Sequence, residues 1–368
     1  MCGIVGGYTV NLVEMLSRIQ HRGFAQCGIV TGFTRLLANR VNELEKINDF
    51  GIGHVRYVTN EDSVCQPYFY KSTWTAFNGE VKDGDTVKLA KTLFHGGRIA
   101  GAYSFVWKDG NQMMAGRDPF GFHPLYVAWS DWGYAVASET TADPKLNWTE
   151  VDPGTIVNLA NGNVYRFYYS SSHKCCFEDV YFSHVTNKGT WARRRELGQL
   201  INVPKADIIV PVPDSAIAAA EALSEKTGIP CVSAIVRNRG TDRTFITENG
   251  QENKYTLIPE ALWDKCVILV DDSIVRGPTM QYLVPQIKRY AKEVHVRVTF
   301  PKIKYKCRYG IHIESEGCHE IPEADSLEFL NVEHFTGCRD CVIKDEIDFD
   351  FEFSIPSMFD CLKETRND

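Results

Sequence analysis

Three groups of residues in this 368-residue chain have types and spacings that can do chemistry. The first is Cys2, directly after Met1 and ahead of Gly3-Ile4-Val5-Gly6. A small second residue permits removal of an initiator methionine, and Cys2 is then expected to be the first residue. Its α-amino group, with a reference pKa of about 7.7–8.0, would be partly neutral near pH 7 and able to accept the thiol proton. Read alone, Cys2 could as well be a packing cysteine. The second group is Val267-Ile268-Leu269-Val270-Asp271-Asp272-Ser273-Ile274-Val275-Arg276-Gly277, an apolar run ending in two carboxylates and a small loop. Backbone N–H groups at a helix start, helped by the helix dipole, can cradle phosphate there, although an Asp-Asp-Ser turn can also merely cap a helix. The third is Cys338-Arg339-Asp340-Cys341, whose spacing suits chelation without identifying a metal.

These groups need elements to position them. Residues 28–31, 73–77, 103–107, 134–137 and 155–159 read as short strands separated by Gly, Asn and Asp turns. Residues 12–20 carry apolar side chains at helical spacing, so a helix is expected on that sheet. From Asp207 the rhythm changes: a strand at 208–212 enters Pro213-Asp214-Ser215, and an Ala-rich helix runs to a stop at Gly228. Strands at 232–236 and 266–270 follow, then a helix near Thr279. That alternation implies a parallel sheet, whose ligands lie beyond the carboxyl ends of its strands, where Asp214, Ser215, Asp271 and Asp272 fall. The expected units are residues 1–185 and 186–368, α+β followed by α/β.

Composition narrows the partners. Hydrophobic content of 44% and charged content of 24% suit a globular protein of two domains. A net charge of −7 argues against a general nucleic-acid binder, and no apolar run reaches the ~20 residues of a membrane span. Without a basic-then-apolar leader, a cytoplasmic location and reduced thiols are expected for the twelve cysteines.

The first half also contains His21-Arg22-Gly23, Gly53-His54-Val55-Arg56-Tyr57, Gln66-Pro67, Asn78-Gly79, Gly101-Ala102-Tyr103-Ser104, Arg117-Asp118-Pro119-Phe120-Gly121 and Ser138-Glu139. In this order they resemble the class II, or Ntn-type, glutamine amidotransferases. The resemblance implies an αββα sandwich of the Ntn-hydrolase kind. It also implies that Arg56 grips the glutamine α-carboxylate, Asp118 holds the α-ammonium, and Arg22 and Gly23 line the pocket. Asn78 and the N–H of Gly79 would form the oxyanion hole, where one donor is typically worth ~2.7–4 kcal/mol. Singly, each has a plainer reading, Asn78-Gly79 as a hairpin turn for example. Departures are Phe24-Ala25-Gln26 after Gly23, Glu80 in place of a common asparagine, and a shortened stretch from Val81 to Gly101.

The string ending at Gly277 resembles the phosphoribosyl pyrophosphate (PRPP) loop of type I phosphoribosyltransferases. By that resemblance Ser273, Ile274, Val275, Arg276, Gly277 and Thr279 surround the 5′-phosphate. Asp271 and Asp272 reach the ribose and, with Ser215, a Mg²⁺ ion. Val236-Arg237-Asn238-Arg239 and Arg243-Thr244-Phe245-Ile246 resemble the segment preceding the lid of amidophosphoribosyltransferases, with Arg243 meeting PRPP. The lid, residues 247–262, is short, and Pro278 replaces a usual threonine.

Cys175, Cys307, Cys338 and Cys341 resemble the [4Fe-4S] ligands of one branch of that family, with zinc on the same thiolates as the alternative. The remaining cysteines 27, 65, 231, 266, 318 and 361 read as packing residues. The implied activity is hydrolysis of glutamine at Cys2 and transfer of ammonia along a shielded path to C1 of PRPP, giving phosphoribosylamine for purine synthesis. A homo-oligomer is the expected assembly. A non-catalytic PRPP or glutamine sensor, disabled at Glu80 and Pro278, is the reading from another class. A different Ntn amidotransferase would not carry the Asp271-Asp272 loop.

Overall fold

The computed structural model describes all residues except 9–10, 33, 46–49, 58–63, 85, 131–132, 239–253, 308, 310–312, 314–319, 345–349 and 365–368. The first part stacks two antiparallel sheets. One has seven strands in the order Trp148–Glu150, Tyr126–Ser130, Gly133–Ala137, Gly3–Gly7, Gly51–Arg56, Gln26–Thr31, Thr34–Ala38. The other has six, in the order Val164–Arg166, Thr155–Asn158, Gln112–Arg117, Gly101–Asp109, Thr73–Val81, Tyr68–Tyr70. Ile4, Val30, Ile52, Ala76, Val106 and Val136 form the dry layer between them.

Helices cover both outer faces, which is why Gly3–Gly7 and Gly101–Asp109 are buried almost throughout rather than in alternation. The helix Leu12–Arg18, capped by the Asn11 side chain on the Glu14 N–H, packs Leu12, Met15 and Leu16 onto the seven-stranded sheet. On the other face Thr86–His95 packs Leu89 and Leu93 against Phe105 and Trp107. The chain's last elements return to that same face. Phe353–Ile355 pairs with Gly97–Ile99, and Met358–Glu364 buries Met358 and Cys361 in the same cluster.

The second part is a four-stranded parallel sheet in the order Ile208–Pro211, Cys266–Asp271, Glu293–Val298, Ser326–Phe329. Pro278–Lys288 covers one face with Met280, Leu283 and Ile287. Ile217–Thr227 covers the other with Ala219, Ala220 and Leu223, ending on Gly228 at φ 74°. Thr190–Leu200 lies against Ile217–Thr227 so closely that a Cβ on Gly198 would stand 2.1 Å from the Ala219 carbonyl oxygen. The strand expected at 232–236 is corrected. It begins at Ile235 and pairs with Tyr255–Leu257 in a separate ribbon, while Cys231 only touches the main sheet at Ile209. The expected lid is shorter too, because buried Tyr255 and the turn Pro259–Leu262 belong to the folded body.

Candidate active site

Cys2 sits at the head of a central strand, its thiol against the Tyr57 backbone: Sγ lies 3.4 Å from the Tyr57 N–H nitrogen and 3.7 Å from its carbonyl. Burial pushes the thiol up, the amino terminus and the Tyr57 hydrogen bond oppose it, Glu80 adds to it and Arg56 opposes it. Met1 is buried beside Phe122, with its sulfur 3.1 Å from Nδ1 of His123, so it fills the space at the amino group of Cys2. His123, which no sequence motif singled out, is fully buried, and burial holds it neutral.

Arg22 is buried beside Cys2. Its guanidinium has no exposure and is engaged three ways: Nη1 donates to Glu139 and to Glu178, each at 2.5 Å, and Nε donates to the Cys2 carbonyl at 3.0 Å. It therefore ties the Cys2 backbone to two buried carboxylates. Gly23 serves close approach, since a Cβ there would stand 2.3 Å from the Arg56 carbonyl carbon. Arg56 ends its strand half-buried, with its charge acting on the Cys2 thiol.

Asn78 and Gly79 lie on Thr73–Val81, paired with Ser104 and Tyr103. Gly79 takes φ +142°, and a Cβ would meet the Ala102 oxygen at 2.1 Å, so only glycine fits. Among the described residues the Asn78 side-chain NH₂ is buried with no hydrogen-bond partner, a donor free to meet an acceptor. Its predecessor Phe77 is clamped by both backbone groups. The N–H donates to Gln66 at 2.7 Å, and the carbonyl accepts from His54, whose imidazole burial pushes down to about 3. Asp118 is buried, accepting the N–H groups of Tyr103 at 3.0 Å and Phe120 at 2.8 Å, and burial raises it to about 6 against the pull of Arg117.

Residues 271–277, Thr279 and Ser215 line a single cavity of about 370 Å³ at the carboxyl ends of the parallel strands. Ser215 Oγ donates to Asp272 at 2.6 Å, Ser273 Oγ to the other Asp272 oxygen at 2.8 Å, and the Asp272 N–H to Asp271 at 2.9 Å. Burial and then Asp272 push the Asp271 carboxyl well up, a strain that a cation would relieve. Gly277, at φ 82°, turns into Pro278 at the first turn of the helix, where a missing N–H is tolerated. Lys254 and Arg237 also line the cavity, Arg237 paired with Asp214 at 2.7 Å. Its far wall is built by His21, Phe24, Phe182, Ser183 and His184. Arg239 and Arg243 lie outside the described residues, as does the start of the expected lid.

Cys175, Cys307, Cys338 and Cys341 converge in one cluster with Phe177, Phe300 and Phe335. Cys175 bridges Cys338 backbone to backbone, and its thiol is pushed well up by burial and then by the other three thiols. Cys176, which the sequence reading left aside, hydrogen-bonds the Cys341 thiol. Among the described residues no three His, Cys, Asp or Glu side chains form a closed ion site, so the thiols are neighbours rather than a finished cage. A buried set of soft sulfur donors fits iron–sulfur or zinc chemistry and not hard cations.

Fold and site together define a glutamine amidotransferase joined to a phosphoribosyltransferase. A family model for a glutamine amidotransferase domain matches residues 91–142. The amidophosphoribosyltransferase of Bacillus subtilis is 31% identical, over 86% of this chain and 84% of that protein. That of Pyrococcus horikoshii is 30% identical, over 90% and 89%. Among solved structures, the B. subtilis glutamine PRPP amidotransferase complexed with ADP and GMP superposes with a TM-score of 0.82 at 28% identity, covering 94% of this chain and 96% of that one. A structure described as the allosteric regulatory enzyme of purine biosynthesis gives 0.78 at 29% identity, covering 90% of each. The chain belongs to the amidophosphoribosyltransferase family.

Proposed function

We propose that this chain takes ammonia from glutamine at Cys2 and delivers it to C1 of PRPP held on Asp271 and Asp272, forming phosphoribosylamine. The observation that carries this reading is the wall between the two sites. The Phe182 ring lines the PRPP cavity and stands edge-on to Tyr57, 6.0 Å between centroids, and the Tyr57 backbone holds the Cys2 thiol. One aromatic partition separates the two chemistries, as a shielded transfer requires.

With Met1 removed, the Cys2 amino group takes the thiol proton and sulfur attacks the glutamine side-chain amide. Charge collects on the amide oxygen, met by the Asn78 NH₂ and the Gly79 N–H. Arg56 and Asp118 hold the two ends of the amino acid head. Ammonia leaves, water cleaves the thioester to glutamate, and ammonia displaces pyrophosphate at C1. Ser273 to Gly277 and Thr279 cradle the 5′-phosphate, and Arg243 meets the pyrophosphate. Mg²⁺, held through Asp271, Asp272 and Ser215, would offset pyrophosphate charge. Cys175, Cys307, Cys338 and Cys341 would hold a structural [4Fe-4S] cluster, which puts the chain in the iron–sulfur branch as a shortened member. The free thiols suit a reducing, cytoplasmic compartment.

The test is turnover after anaerobic purification. Glutamate and pyrophosphate should appear in equal amounts, and Cys2→Ala should abolish both with glutamine while leaving product formation from added ammonia. Iron and sulfide should be present in matching amounts, with zinc absent. Tight binding of glutamine and PRPP without either product would replace the enzyme reading by a sensor.

A further inference from the structure

Gln66-Pro67 takes no part in the chemistry above, although it is built against the strand that carries Asn78 and Gly79. Thr73–Val81 has Gly101–Asp109 beside it along its whole length, but on its other side Tyr68–Tyr70 covers only Thr73 to Thr75. Carried on in the same register, the partners of Ala76 and Phe77 would be Pro67 and Gln66. Proline has no N–H to offer a ladder, and the pairing stops there. The Gln66 side chain then stands in for the missing strand: Oε1 accepts the Phe77 N–H at 2.7 Å, and Nε2 donates to Thr86 Oγ at 3.1 Å. Only the amide oxygen can accept from a backbone N–H, so the two bonds fix which way the amide faces. Gln66, Phe77 and Thr86 are all buried, and neither bond competes with bulk water.

We propose that Gln66 is a positioning residue for glutamine hydrolysis: by clamping the Phe77 N–H it sets where the Asn78 amide and the Gly79 N–H stand when charge collects on the substrate oxygen. An oxyanion donor acts within about 2.7–3.1 Å of that oxygen, and a misplacement of about 1 Å costs about 10²-fold in rate. Asn78 directly follows the clamped residue, and its NH₂ has no hydrogen-bond partner among the described residues, so that end is placed by the backbone behind it. Gly79 has no side chain with which to anchor itself. Without the clamp, the strand at Phe77 would be held by backbone pairing on one side alone.

The proposal rests on Asn78 acting as an oxyanion donor, and the experiment separates the two. Glutamine hydrolysis is measured in the full-length protein with saturating PRPP and Mg²⁺, beside Cys2 alkylation by iodoacetamide, a displacement at carbon that forms no oxyanion. Gln66→Leu should lower kcat by roughly 10- to 100-fold, with KM for glutamine and the alkylation rate each within about twofold of the wild type. Gln66→Glu, which keeps an oxygen for the Phe77 N–H, should recover most of the lost kcat. Thr86→Val frees the far end of the amide without touching the strand and should give a smaller fall. In an Asn78→Ala background, Gln66→Leu should cost less than about a further threefold, since residues that act through one another do not add. A wild-type kcat in Gln66→Leu, or in Thr86→Val where Gln66→Leu does not fold, overturns the proposal. So does alkylation that falls in step with kcat, or full additivity with Asn78→Ala. If Asn78→Ala hydrolyses glutamine at the wild-type rate, the oxyanion role fails and the clamp with it; if the wild type hydrolyses none, the catalytic reading itself fails.

Discussion

At the level of single residues, the glutaminase half is set by how charge is arranged around a buried thiol. Glu80, next to the oxyanion glycine, raises the Cys2 thiol on top of burial, against the amino terminus and Arg56. Glu80→Gln removes one raising influence, so the pH midpoint for Cys2 alkylation should move downward; a midpoint that stays put or rises would show that the carboxylate does not reach the thiol. In the proposed reaction Asp118 holds the other end of the substrate. Burial raises it to about 6, and only the ionised form can pair with an ammonium. kcat/KM for glutamine should therefore fall by about tenfold per pH unit below about pH 6, with the acid limb of kcat lying lower because bound ammonium draws the carboxyl down. Asp118→Asn should lose that limb along with affinity. Cys2, Asn78, Gly79 and Asp118 could be singled out from the sequence because the motifs that carry them are local. The role of Arg22 could not, since its burial depends on Glu178, 156 positions away.

Elements were legible where burial is two-sided. The strand at Cys266–Asp271 is a continuous apolar run up to Asp271 because both faces are covered, and Gly101–Asp109 is buried as thoroughly although it includes Ser104 and Lys108. Short elements that depend on distant partners carry almost no such signal. The strand Ile235–Arg237 was read as part of the main sheet, and its partner Tyr255–Leu257 as part of the lid, because three residues of strand look the same in either setting. The final helix, Met358–Glu364, is seven residues long, too short to hold itself together in water. Its stability comes from Met358 and Cys361 packing into the cluster of Leu89, Leu93 and Trp107. Met358→Ala should cost about 2–5 kcal/mol, as for other large-to-small changes at fully buried sites. A thermal midpoint within a degree of the wild type would mean that the return of the chain contributes nothing to the first unit.

For the whole molecule the question is what holds the two half-sites in register. The core at the junction draws Met1 and Phe122 from the amidotransferase part, Phe177 and Phe182 from the connecting segment, and Phe300 and Phe335 from the other part. Cys175, Cys338 and Cys341 are buried in that same core. Phe182 is therefore two things at once: a wall of the PRPP cavity and a member of the core that contains the thiols. If the thiols hold a cluster, loosening it should disturb that wall. Cys338→Ser should accordingly lose most of its iron and lower the thermal midpoint by about 5 °C or more, given that 1 kcal/mol moves a unit of this size by about 2–4 °C. Glutamate release should then exceed pyrophosphate release, because ammonia escapes through the disturbed wall, while the rate with added ammonia should remain close to that of the wild type. Iron at the wild-type level, or one-to-one products from an iron-free variant, would show that the junction keeps its seal without the four thiolates.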